Sequence, residues 1–134
     1  VRSTFDILTT VQPKLKAVVG SNITGDVYLY NVPTDKVQLE NFTLNILNNP
    51  ADYVQDGIMN VNLEMMGLEK GSPNSLRMKQ IMDLVFPFFD NTTIENADKS
   101  TTLHLDIDDD KGIFKEQNSE KNYLYNLRVR FVTL

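Results

Sequence analysis

Ile58-Met59-Asn60-Val61-Asn62-Leu63-Glu64-Met65-Met66 alternates almost to its end, with Met59, Val61, Leu63 and Met65 on one side and Asn60, Asn62 and Glu64 on the other. Successive side chains of a strand point to opposite faces, so this run has one buried face and one wet face. That is the pattern of an antiparallel sheet covered on one side only. The device recurs on both sides of the run. Between Glu40 and Leu47, Phe42, Leu44 and Ile46 oppose Asn41, Thr43 and Asn45. Near the other end, Tyr123, Tyr125, Leu127, Val129 and Phe131 alternate with Asn126, Arg128 and Arg130. Shorter alternations occur from Asp26 to Val32, where Pro33 stops the strand, and at Leu103, Leu105 and Ile107.

Two segments carry the helical period instead. Phe5, Leu8, Val11, Leu15, Val18 and Val19 recur at spacings of three and four, with Ser3 as cap and Gly20 as terminator. Pro13 removes a donor, which predicts a kink near Thr9 or a fresh start at Pro13. A second helix is expected to start at Ser72-Pro73, to carry the stripe Met78, Ile81, Met82 and Val85, and to end before Pro87. Asp90 to Ser100 reads as a polar connection. Asp108-Asp109-Asp110-Lys111-Gly112 reads as a hairpin turn with Gly in the left-handed position. The expectation is one α+β domain over residues 1–134. Two helices cover one face of a mainly antiparallel sheet of about four to six strands, in the order helix, three strands, helix, two strands.

A chain of 134 residues fits one core, and its 41% hydrophobic and 23% charged residues are ordinary for a globular domain. With no cysteine there is no disulfide, thiolate metal site or cysteine nucleophile, which fits folding in a reducing cytoplasm. No apolar run reaches the roughly 18 residues of a membrane span, and no basic stretch followed by an apolar run marks a signal peptide. No membrane partner is expected. The net charge of −5 disfavours nucleic-acid binding through the overall field. Arg128 and Arg130, on one face of the last strand, are expected to pair with acidic neighbours.

The most suggestive chemistry is Asp106, Asp108, Asp109 and Asp110 beside His104, since spaced carboxylates resemble a calcium loop. The pattern fails in detail. Counting from Asp106, the positions that need Gly and a bidentate Glu hold Lys111 and Gln117. Asp106, Asp108 and Asp110 are therefore only weak metal candidates, and no cofactor is expected. His104 is the sole histidine, and no nucleophile elbow accompanies it, so no catalytic site is expected. Met65 and Met66 cannot both enter one core from a single strand, so one of them should be exposed.

Several phrases together resemble the tail-terminator and tail-completion proteins of long-tailed bacteriophages. They are ILTTVQPKLKAVV, VYLYNVP, ENFTLNIL, DGIMNVNLEM, SLRMKQIMDLV and NYLYNLRVRF, and they span most of the chain. The resemblance implies a structural virion protein, made in the host cytoplasm, that forms a ring at the head-to-tail junction. Such a ring, usually a hexamer, ends tail-tube growth and joins the tube protein to the head connector or neck protein. DNA passes through it without sequence-specific binding. Six copies at −5 each carry about −30, which repels DNA at close range. Candidate subunit or lumen contacts are Asn60, Asn62, Glu64, Met66, Asp108, Asp109 and Asp110. Alternatives are another neck or adaptor protein, or a small metal-binding or ligand-binding α+β module.

Overall fold

The computed structural model describes residues 1–134 as an α+β fold of two helices and one six-stranded sheet. The elements are α1 (Thr4–Val19), β1 (Val27–Leu29), β2 (Asn41–Asn48), β3 (Asp56–Met66), α2 (Ser75–Phe89), β4 (Thr92–Glu95), β5 (Thr102–Lys115) and β6 (Asn122–Thr133). Spatial order is β1-β2-β3-β6-β5-β4. The β1–β2 pair is parallel and the others are antiparallel.

The register lines up the apolar halves of the alternating strands. Phe42 faces Leu63, Leu44 faces Val61, and Val61 in turn faces Leu127. Met59 meets Val129, which meets Ile107 across the other ladder. A one-residue slip would turn every one of these side chains into water, so burial fixes the pairing. Both helices lie on this face and join the sheet in one apolar cluster through Ile7, Leu8, Val11 and Leu15 of α1 and Met78, Ile81, Met82, Val85 and Phe89 of α2. Met65 is buried while Met66 is exposed, as one strand requires.

Five local expectations are corrected. Helix α1 makes no fresh start at Pro13 but continues through it, the exposed ring facing solvent while Ile7, Leu8 and Val11 before it and Leu15 and Val19 after it bind the same core. Its stripe also shifts: Ile7 is buried and Phe5 is 59% exposed. Helix α2 starts at Ser75 under an Asn74 cap, because Ser72 is held in a turn with Leu68, and it continues past Pro87 to bury Phe89. The connection from Asp90 to Ser100 contains the additional strand β4, paired with β5. The acidic stretch is no turn. Strand β5 continues through it, with bulges at Ile107/Asp109 and Asp110/Gly112, and the reversal comes after Lys115. Gly112 does take a positive φ of 81°, but in the service of a bulge.

Arg77 ties α2 to the start of β2. Its Nε donates to Glu40 at 2.6 Å, and a second guanidinium nitrogen donates to Glu40 at 2.8 Å and to the Asn22 carbonyl at 2.6 Å. These bonds hold the Glu40 carboxyl below its ordinary value. Ser3 caps α1 in a reciprocal box with Asp6.

Candidate functional site

The face of the sheet that the helices leave bare is polar, and the sequence pattern places its residues in rows. One row runs Asn45, Asn60, Arg128, Asp109 across β2, β3, β6 and β5. The next runs Thr43, Asn62, Asn126, Gly112, and a third runs Asn41, Glu64, Leu124, Phe114. Asparagine side chains bond across the strands. The Asn60 amide donates to Asn45 at 3.0 Å, and the Asn126 amide donates to Asn60 at 3.1 Å and Asn62 at 2.6 Å. Such cross-strand pairs fix the rotamers and give the surface a set shape.

The β5–β6 turn and the β1–β2 connection rise beside these rows and leave an open depression of about 820 Å³. Asn60, Asn62 and Glu64 all line it, together with Glu116, Asn126 and Arg128. Glu64 accepts the Thr43 hydroxyl at 2.6 Å. Burial, and then the neighbouring Glu64 carboxyl with which it shares a hydrogen bond, push Glu116 up to about 8. Two carboxyl groups thus sit side by side at one end of the depression, an arrangement that favours the protonated form of Glu116.

The two arginines of β6 behave differently: Arg128 lines the other end of the depression, and Arg130 is outside its lining. Arg130 forms a two-pronged pair with Asp56 at 2.8 and 2.6 Å, as expected for an arginine with an acidic neighbour. Arg128 has no such partner, and its Nε is buried without any acceptor.

The remaining expected positions are scattered. Met66 lies outside the depression, beside a smaller hollow with Gln38 and Lys121. Asp106 is on the polar face with its carboxyl 3.3 Å from His104, whose other ring nitrogen meets the Thr93 hydroxyl at 3.0 Å. Asp108 lies in the first bulge, and Asp109 pairs with Lys111 at 2.8 Å. Asp110 stands opposite Leu127 and bonds Tyr125, whose hydroxyl is pushed up by burial and then by that carboxylate. The bulges turn successive aspartates to different sides, and no three acidic or histidine side chains gather as a metal cage.

Both flanks of the sheet carry open main chain. Strand β4 covers only Thr102 to Leu105 of β5, so the outer side of β5 has no strand partner from Asp106 to Lys115. On the far flank β1 covers β2 only from Phe42 to Leu44, and Asn45 to Asn48 are open. The first edge is acidic and bulged; the second carries Leu47, which is 50% exposed.

No protein-family model and no curated protein matches this chain. No helix is long and apolar enough to cross a membrane.

Proposed function

We propose that this chain is a structural subunit that assembles head-to-tail into a ring at the head-to-tail junction of a long-tailed phage, where it ends tail-tube growth and docks the head connector. The observation that supports this reading is the pair of unlike open sheet edges, Asp106–Lys115 of β5 and Asn45–Asn48 of β2. Two different patches on opposite flanks generate heterologous contacts, and these close into rings when the rotation per subunit allows. Self-pairing of the β5 edge is disfavoured, because it would set Asp106, Asp108, Asp109 and Asp110 against the same aspartates of a second copy. Bulges and charge also guard that edge against indiscriminate pairing while leaving it open to a matched partner. The phage setting comes from the resemblance of the six segments quoted above.

The test is direct. Light scattering and negative-stain imaging of the purified protein, alone and with isolated tail tubes, should show rings, or rings seated on tube ends that no longer elongate. A protein that stays monomeric at high concentration and leaves tube ends growing would sink the proposal.

A further inference from the structure

We infer that the outer edge of β5, from Asp106 to Lys115, takes up an extended strand of a partner protein in which Lys or Arg alternates with apolar residues. Strand β4 pairs antiparallel with Thr102–Leu105 and ends there, so the main chain beyond it is paired with β6 on one side only. A row of free N–H and C=O groups is a template for another strand. Charge and bulges can protect an edge, but here they leave its helix side unguarded. On that side Ile107 and Ile113 flank Asp110, and both isoleucines are only half-buried. Tyr125, opposite Ile113, and Phe86, which meets the Tyr125 ring edge-on, are half-buried as well. The apolar cluster thus reaches the rim of the sheet here without being covered.

The two sides of the edge define its occupant. Asp106 and Asp109 lie on the polar side, opposite Arg130 and Arg128, while Asp108 and Asp110 make no ion pair. The inner partner of this stretch already shows the matching pattern. Strand β6 reads Arg130, Val129, Arg128, Leu127 along it, with cations on the side of Asp106 and Asp109 and apolar residues on the side of Ile107. A strand of the same alternation on the outer side covers Ile107 and Ile113 and sets its cations against the aspartates, at the cross-strand distance of about 5 Å where opposite charges attract. An acidic strand is repelled. A second copy is a poor donor. On its far flank β1 screens Phe42–Leu44, and Val27 of β1 already donates its N–H to Asp26 and accepts the Gln12 amide at its carbonyl. Only Asn45 to Asn48 stay open there, and they carry no cation.

The inference does not depend on ring assembly, which is scored separately by light scattering. The probes are labelled, end-blocked peptides: Thr-Lys-Val-Lys-Val-Thr-Val-Thr, the same peptide with Glu for both Lys, and the first peptide with Pro for its central Val, which keeps the charge and loses the strand. Binding to the whole chain is read by fluorescence anisotropy and by slowed amide exchange at Ile107, Asp110 and Ile113. The Lys peptide is expected to bind about tenfold more tightly than either control. Asp108→Asn combined with Asp110→Asn should shrink the preference for Lys over Glu, Ile113→Asn should weaken the Lys peptide, and Lys36→Gln on the far flank should change nothing, with all variants checked for unaltered melting. The three peptides on the unaltered protein decide the matter even where a variant fails to fold. Equal binding of the Lys and Glu peptides, equal binding of the Pro peptide, no binding at millimolar peptide, or exchange slowed only outside β5 would each overturn the inference. Rings that form while no peptide binds leave the ring reading standing and remove this one.

Discussion

Replacing Glu116 with glutamine is expected to stabilise the fold, and only where the pH ionises the natural carboxyl. Folded Glu116 titrates near 8, against an ordinary 4.5. Between those values the folded chain holds a proton that the unfolded chain has released, so stability falls as pH rises from 4.5 and levels off above about 8. At about 1.4 kcal/mol per pH unit the whole interval sets a ceiling of ~5 kcal/mol. The side chain is only partly buried, and solvent screening reduces the effect to roughly 1–2 kcal/mol. For a chain of this size that is roughly 3–7 °C in Tm. Glutamine keeps the shape and can bond Glu64 without ionising. Thermal melts of both proteins from pH 5 to pH 9 should give nearly equal Tm at the acid end and a widening advantage for Glu116→Gln up to about pH 8. A constant difference across that range, or a less stable variant at the alkaline end, would refute the coupling of the two acids. Glu64→Gln should relieve part of the same penalty while still accepting the Thr43 hydroxyl, and the double variant should gain less than the two single gains combined.

Arg77→Ala removes the link from α2 to Glu40 and should cost ~1–2 kcal/mol by urea denaturation at neutral pH. Because folded Glu40 is held below its ordinary 4.5, that contribution is present above this value and should vanish as pH falls through the lowered one. Gly57→Ala would place a methyl group against the Asn48 carbonyl and the Phe131 ring, and should lower stability by ~1–3 kcal/mol in the same assay. Leu47→Lys puts a charge on the open edge of β2 and should weaken ring formation several-fold by light scattering, with Tm changed by no more than about 2 °C.

The central sheet could be read directly because its strands alternate strictly: Phe42/Leu44, Met59/Val61/Leu63 and Leu127/Val129/Phe131 announce a common face. Strand β4 was hidden because Thr92-Thr93-Ile94-Glu95 has one apolar residue and depends on its pairing with β5. The run Asp108 to Gly112 has turn chemistry, yet tertiary pairing with β6 overrides it and absorbs the surplus residues as bulges. Pro13 and Pro87 were expected to break or end helices. They stay within them because each is exposed while flanking residues remain buried on the core side. At the candidate site, alternation was enough to put Asn60, Asn62 and Glu64 on the wet face. Glu116 and Asn126 join them only through the β5–β6 and β3–β6 registers, and the unpartnered state of Arg128 arises because nearby aspartates take other cations.

Strand β3 occupies the middle of the sheet, yet one of its two partners, β6, comes late in the chain, so that Asn60 waits for Arg128. A ribosome delivers β1, β2, β3 and α2 well before residues 122–133. Nascent chains therefore pass through a period in which β3 has a bare flank and both helices lack half their floor. Distant pairings of this kind form slowly, and half-built sheets are prone to stick to one another. Chains arrested before Asn122 should remain open to protease during cell-free synthesis, and resistance should appear only once β6 has been released from the tunnel.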